Sequence, residues 1–348
     1  MSNDREFFPK NYRIAITGST GMVGSYLIRS LLDRGYTRIR AMKRKSSALH
    51  LLEGREDELE WVEGNLLDTE KLYEFTRDVD VVFHCGASVT FNPAARQKIY
   101  NVNVQGTADL VDACLENGVK RFIFCSSISA LGRENLKGQV TENTDWKDSR
   151  SLSDYGRSKY YGEMEVWRAH AEGLSASIIS PSLIFGGGLW QKGTGRLFQQ
   201  VDNGLPFYPS GMSGFVDVRD VVEMMIMMVD EKHAGQRYIC NAENKTYREV
   251  LNRIAENLQK PAPSLELKKW MVHFVPVALK FMRIFGLKLP KVTKPMLMAS
   301  TEKVEFDNSK FIRATGFSYR PIDPLIDELC ELYLSSKEEK RTYVLLPL

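Results

Sequence analysis

From residue 14 onward, short apolar runs alternate with amphipathic stripes. Ile14, Ala15 and Ile16 are unbroken apolar sequence up to Thr17-Gly18, the pattern of a parallel strand buried on both faces. Over Met22 to Leu32, Val23, Leu27, Leu31 and Leu32 share one helical face, and Gly35 stops the stripe. The alternation continues. Strands are predicted at Arg38 to Met42, within Trp61 to Asp68, at Asp80 to Ala87 and at Arg121 to Ser127, with helices over Ala94 to Asn117 and from Asp154. Phe215 to Asp220 and Gln236 to Asn241 read as strands returning to the sheet or its edge, and Tyr247 to Leu258 as an amphipathic helix. Strand and helix in regular succession predict an α/β fold, a doubly wound parallel sheet with a smaller, mostly helical C-terminal part.

Composition narrows the function classes. With 43% hydrophobic and 26% charged residues the chain is an ordinary soluble globular protein, and at 348 residues it suits one large domain with an appended smaller one. A net charge of +3 without a long basic run argues against nucleic acid as a partner. The five cysteines are scattered and none stands in a C-x-x-C pair; with no apolar signal core at the N-terminus, they point to a reducing compartment, the cytoplasm.

Candidate chemistry begins at Thr17-Gly18-Ser19-Thr20-Gly21-Met22-Val23-Gly24. Gly18 suits the tight turn, Gly21 lets backbone approach a pyrophosphate, and Gly24 allows close packing of helix on strand. The helix N-terminus offers N–H groups to the phosphates. After the second strand an acid would hold a ribose 2′-hydroxyl, but Lys43-Arg44-Lys45-Ser46 stands there. Cations suit a 2′-phosphate, so NADP(H) is expected, with NAD(H) as the weaker alternative. Asn65 or Asp68 stands near the adenine edge, although Asp68 also suits a helix cap. Gly86, Ala87 and Ser88 are small enough for backbone to lie against a cofactor, and His84 before them reads as a packed histidine rather than a base. Gly106 inside a helix suggests a close approach. Ser126 and Ser127 end a strand, where ligands of open α/β sheets bind. Tyr155 and Lys159 are four apart on one helical face; a nearby cation lowers a phenol pKa, which would make Tyr155 an acid/base near neutral pH.

Together TGSTGMVG, the serine pair before ISALG, and YGRSK resemble the extended short-chain dehydrogenase/reductases, the NAD(P)-dependent epimerase/dehydratase group. The resemblance runs from about Tyr12 to about Leu334. It implies a Rossmann fold, Ser127, Tyr155 and Lys159 as catalytic residues, Asn103 maintaining a proton relay, and Pro181 over the nicotinamide, with Leu66 and Leu183 also against the cofactor. The cofactor unit is expected over 1–181 and 215–243, a substrate unit over 182–214 and 244–334, and a tail over 335–348. Two residues depart from the family pattern: Ser180 replaces an arginine and Asn65 an aspartate. The Gly186 to Gly211 loop resembles the dihydroflavonol-reductase and hydroxysteroid-dehydrogenase branch. Ser213 stands where sugar-nucleotide enzymes carry a pyrophosphate-binding arginine, leaving Arg196 or Arg219 as substitutes.

These features imply an oxidoreductase moving a hydride between nicotinamide and a carbonyl or secondary alcohol of a small, apolar substrate, without a metal. A sugar-nucleotide epimerase and a non-catalytic NADP(H)-sensing regulator are the alternatives. Ile128-Ser129-Ala130 after the serine, in place of an acidic pair, argues against a 4,6-dehydratase. A homodimer is expected through the helices Ala94 to Asn117 and Tyr155 to Glu172, with Leu110, Val111 and Cys114 facing either the partner or the sheet. Leu267 to Leu289, with Trp270, Met271, Phe274, Phe281, Met282 and Phe285, reads as an apolar lid in preference to a helix lying on a membrane.

Overall fold

A computed structural model describes residues 6–90, 92–133, 138–148, 152–274 and 294–348. The main sheet has seven strands: β1 Ile14–Thr17, β2 Ile39–Lys43, β3 Glu60–Glu63, β4 Val81–His84, β5 Arg121–Cys125, β6 Ala176–Pro181 and, after three strands of two smaller sheets, β10 Arg237–Cys240. All pair in parallel, in the order β10-β6-β5-β4-β1-β2-β3. The order reverses between β1 and β4, the switch point where such sheets open a binding crevice.

Period-two alternation packs both faces. Ile14, Ile16, Val81, Phe83 and Ile123 point into a core with the helices Met22–Asp33 and Val218–Met227. Ala15, Val82, Phe122 and Phe124 point into another with the helices Thr69–Thr76, Gly106–Glu116 and Asp154–Ala171. Leu110, Val111 and Cys114 belong to this second core and are fully buried. They therefore face the sheet and are unavailable to a partner subunit.

Two local expectations are corrected. The helix expected over Ala94 to Asn117 is a 3-10 turn Pro93–Ala95, an α-helix Arg96–Tyr100, a π-helical turn Asn101–Gln105 and the α-helix Gly106–Glu116. At Gly106 the Leu66 carbonyl lies 2.7 Å from where a Cβ would stand, so the glycine is there for close approach. The strand expected at Phe215 does not rejoin the main sheet. It is β9 Met212–Asp217, between β7 Leu183–Phe185 and β11 Glu243–Thr246 in a three-stranded sheet.

A short pair, β8 Phe207–Pro209 with β12 Leu265–Leu267, lies beside it. Tyr247–Asn257 is a helix with a full Thr246/Glu249 capping box. The last helix runs from Ile322 to Glu338, past residue 335, and the chain then folds back. Leu346 N–H donates to the Tyr26 hydroxyl at 2.6 Å, and Val344 N–H to the Gly188 carbonyl at 3.1 Å. Most of the segment read as a lid, 275–289, lies outside the described residues; Trp270 and Phe274 before it are exposed. No described helix is long and apolar enough to cross a membrane.

Candidate active site

The glycine turn occupies the switch point. Gly18 has φ +67°, and a Cβ there would meet the Cys85 carbonyl carbon and the Gly86 nitrogen at 2.6 Å, so only glycine fits between the ends of β1 and β4. A Cβ on Gly24 would stand 2.3 Å from the Gly18 carbonyl oxygen, which is how helix and turn pack so closely. Ser19 ties the turn to β2 by donating to the Met42 carbonyl at 2.6 Å. Thr20, Gly21, Met22 and Val23 lead into the helix Met22–Asp33, which has no side-chain N-cap and no acid in its first turn. Its leading N–H groups are thus open to an anion and unopposed by a carboxylate, so these residues fit a dinucleotide pyrophosphate.

At the end of β2, Lys43 Nζ lies 4.9 Å from the Trp61 ring centroid. Arg44 is exposed, its backbone N–H donating to Ser47 Oγ. Asn65 Oδ1 accepts from Leu67 N–H at 2.8 Å, Leu66 is buried behind it, and Asp68 caps the helix Thr69–Thr76 by accepting from Lys71 N–H. His84 is a packing hub. Its Nδ1 meets Thr17 Oγ1 at 2.6 Å and its Nε2 meets Thr107 Oγ1 at 3.0 Å, while burial pushes its pKa down to about 3.

Ser127, at the carboxyl end of β5, accepts Ser129 N–H and hydrogen-bonds the Tyr155 hydroxyl. Burial pushes the Tyr155 phenol up to about 12, an effect the Ser127 hydrogen bond offsets only in part. This reverses the expected direction of the shift. Lys159, one turn on, is buried; it donates to the Cys125 carbonyl at 2.8 Å and lies over the Phe124 ring, 4.1 Å from its centroid. Desolvation pushes it down to about 8.

Asn103, in the π-helical turn, accepts Ser88 N–H at 2.7 Å and donates to the Ser88 carbonyl and to Ser158 Oγ. Its side chain thereby fastens the segment Gly86-Ala87-Ser88 to the helix that carries Tyr155. Both amide protons are used, and its main-chain carbonyl accepts from Thr107 Oγ1 at 2.8 Å. Pro181 ends β6 beside β5, and Leu183 begins β7. The structure thus brings Ser126, Ser127, Tyr155, Lys159, Asn103 and Ser88 together, with the glycine turn across the switch point.

One supporting pair escaped the sequence reading. Ser126 donates to Glu163, whose buried carboxylate also pairs with Arg237 at 2.9 Å. The signal was an acid four residues past Lys159 on the same helical face. Ser180, in place of the family arginine, is buried with its Oγ unpartnered among the described residues. Two surface clefts, of about 180 and 120 Å³, lie elsewhere, lined by Arg40, Glu60 and Arg77 and by Trp190 and Tyr333. Both are too small for a dinucleotide.

Comparison with known proteins gives a consistent result. The chain is 30% identical over 256 residues to sterol demethylase protein B of Methylococcus capsulatus, covering 72% of this chain and 76% of that protein. It is 27% identical over 310 residues to a putative dihydroflavonol 4-reductase of Synechocystis, covering 86% and 88%. Among solved structures, gox2253 superposes with a TM-score of 0.79 at 27% identity, over 95% of this chain and all of that one. UDP-glucose 4-epimerase from Thermotoga maritima superposes with a TM-score of 0.76 at 18% identity, over 93% and 99%, which is a likeness of fold. Residues 14–241 match the NAD dependent epimerase/dehydratase family. A match of that length, spanning the whole seven-stranded sheet, decides the membership: the chain belongs to the NAD dependent epimerase/dehydratase family, the extended short-chain dehydrogenase/reductases, and is an NAD(P)-dependent enzyme of alcohol and carbonyl groups.

Proposed function

We propose that the chain is an NADP(H)-dependent reductase or dehydrogenase interconverting a carbonyl and a secondary alcohol on a small, largely apolar molecule. The hydrogen bond between Ser127 and Tyr155, with buried Lys159 one helical turn on, carries this reading. Bound nicotinamide would supply or accept the hydride. Tyr155, protonated at neutral pH, donates to the substrate oxygen in the reductive direction, and Ser127 donates to the same oxygen. Lys159 places a positive charge beside the oxyanion-forming end. Asn103 acts as a positioning residue, holding Ser88 and Ser158. Lys43 and Arg44 receive the 2′-phosphate, since no acid ends β2 and exposed Arg44 forms no ion pair among the described residues.

The substrate side is built from 182–214 and 244–334, and the chain pairs as a homodimer. Its five free thiols suit the reducing cytoplasm. The similarity to a putative dihydroflavonol 4-reductase and to cinnamoyl-CoA reductase 1 of Petunia hybrida supports a reductase.

The test follows NADPH and NADH consumption across a panel of hydrophobic ketones and aldehydes. Steady NADPH oxidation with at least one compound, and slower oxidation of NADH, is expected. Tight NADPH binding with no turnover across the panel would favour a regulator instead.

A further inference from the structure

Arg133 has no part in the chemistry above. It follows the 3-10 turn Ile128–Ala130 that Ser127 caps. The guanidinium is half-buried and lies over the Phe306 ring, 5.6 Å from the centroid. One of its N–H groups donates to the Ile128 carbonyl at 3.1 Å. Nε is enclosed and has no acceptor among the described residues. Burial lowers the guanidinium pKa, and Glu302 and Tyr247 oppose that by charge alone, neither pairing with it. Tyr247, at the start of the helix Tyr247–Asn257, stands with it; its hydroxyl is hydrogen-bonded to Ser213. An enclosed cationic donor without an acceptor is destabilising, and water restores a hydrogen bond but not a charge. A ligand carboxylate would supply both the acceptor and the countercharge.

We propose that Arg133, with Tyr247 and Ser213, binds one carboxylate of the substrate, carried away from the reacting carbonyl. A carboxylate fits better than a phosphate for three reasons. The guanidinium fork matches two coplanar oxygens. Arg219 is already committed to Asp217 and Glu328, so a second charge would find no second cation there. Glu302 nearby would repel a dianion. The hydrogen bond to Ile128 ties Arg133 to the residue next to Ser127, so an apolar keto acid held at Ser127 and Tyr155 reaches it with its far end. This inference rests on Ser127, Tyr155 and Lys159 being the catalytic group, but its test reads binding without turnover.

The experiment titrates benzoate, neutral benzamide and inorganic phosphate into the full-length, NADP-loaded protein, following melting temperature and tryptophan fluorescence. A saturable benzoate response is expected, weaker by about tenfold or more in Arg133→Met, partly restored in Arg133→Lys, and absent with benzamide. Without benzoate, Arg133→Met is expected to melt at or above the wild-type temperature, because an under-satisfied charge has been removed. The proposal is overturned by no saturable benzoate response in the wild type, by an unchanged response in Arg133→Met, or by tighter phosphate than benzoate binding through the same residue. It is equally overturned if Arg133→Met melts well below wild type, since the arginine would then be structural. Loss of turnover in Tyr155→Phe leaves this readout untouched, so failure of the catalytic reading and failure of this one are told apart.

Discussion

At Tyr155 and Lys159, burial outweighs charge in setting protonation. Both side chains lose water on burial, so the phenol rises to about 12 and the ammonium falls to about 8. Tyr155 is then a proton donor throughout the neutral range, which suits carbonyl reduction better than alcohol oxidation. Tyr155→Phe keeps the ring's packing but removes the proton; NADPH binding by fluorescence should persist while kcat for reduction falls by about a hundredfold or more. Lys159 is expected to set the pH profile. Reductive kcat should hold at neutral pH and decline as pH rises through about 8, where Lys159 loses its proton, with no break from Tyr155 until far higher; a limb set only by an acid of pKa near 6 would refute this assignment. The stability sign is the opposite. The folded pKa lies below the ordinary 10.5, so the folded state binds fewer protons between the two values and the cost of burying the charge is relieved as pH rises through that window. That cost is roughly 3 kcal/mol. Lys159→Met should therefore raise the melting temperature at pH 7 while abolishing reduction. That Tyr155 and Lys159 share one helical face and that Ser127 lies just past a strand end was readable in the sequence. The direction of their shifts was not, because desolvation comes from chain segments distant in sequence.

Elements whose signal is local were legible; those defined by distant partners were not. β1, β4 and β5 are apolar runs with turn residues at their ends, and the helix Met22–Asp33 shows its stripe in the sequence. The π-helical turn Asn101–Gln105 has no local signature, since its extra residue is fixed by Asn103 reaching Ser88 and Ser158. The apolar run at Phe215 resembles a main-sheet strand, and only pairing assigns β9 to the smaller sheet. At the end of β2 the local signal is charge. Arg44→Ala is expected to weaken NADPH binding by about ten- to a hundredfold, the worth of a charge-assisted pair, and to leave NADH binding unchanged. Equal losses for both cofactors in calorimetry would remove Arg44 from the 2′-phosphate site. The paired helices Gly106–Glu116 and Asp154–Ala171 turn Leu110, Val111 and Cys114 inward, so a dimer has to use their outer faces, where Arg168 bridges to Asp112 and Tyr161 is exposed. Light scattering should find a dimer, and Tyr161→Glu should shift it toward monomer; a wild-type monomer at micromolar concentration would end this reading.

On the scale of the whole molecule, the fold is shared with sugar-nucleotide enzymes, and the substrate must be decided by what the second half of the chain sets against the sheet. A nucleoside diphosphate needs cations at the substrate side to replace the water it gives up. Ser213, at the position expected of a pyrophosphate-binding arginine, is hydrogen-bonded to Tyr247. Arg219, one proposed substitute, is held by Asp217 and Glu328 and points its donors at carboxylates. Arg196, the other, is exposed on the helix Gly195–Asp202. Arg133 remains, with a single charge, against Phe306 and near Glu302. Beyond the missing cation at Ser213 these contacts were not legible in the sequence, because Arg219 with Glu328 and Arg133 with Phe306 join segments more than a hundred residues apart. Taken together they set one charge where a diphosphate needs two. Calorimetry of the NADP-loaded protein with UDP-glucose, UDP-galactose and a dTDP-sugar is therefore expected to show no binding at micromolar concentration, while UDP-glucose 4-epimerase from Thermotoga maritima serves as the positive control of the same fold. Micromolar affinity for any of the three would transfer the chain to the epimerase reading, with Arg196 as the first residue to substitute. Absence of binding, alongside reduction of an apolar keto acid that weakens in Arg133→Met, would place the specificity at Arg133, Tyr247 and Ser213 rather than in the shared sheet.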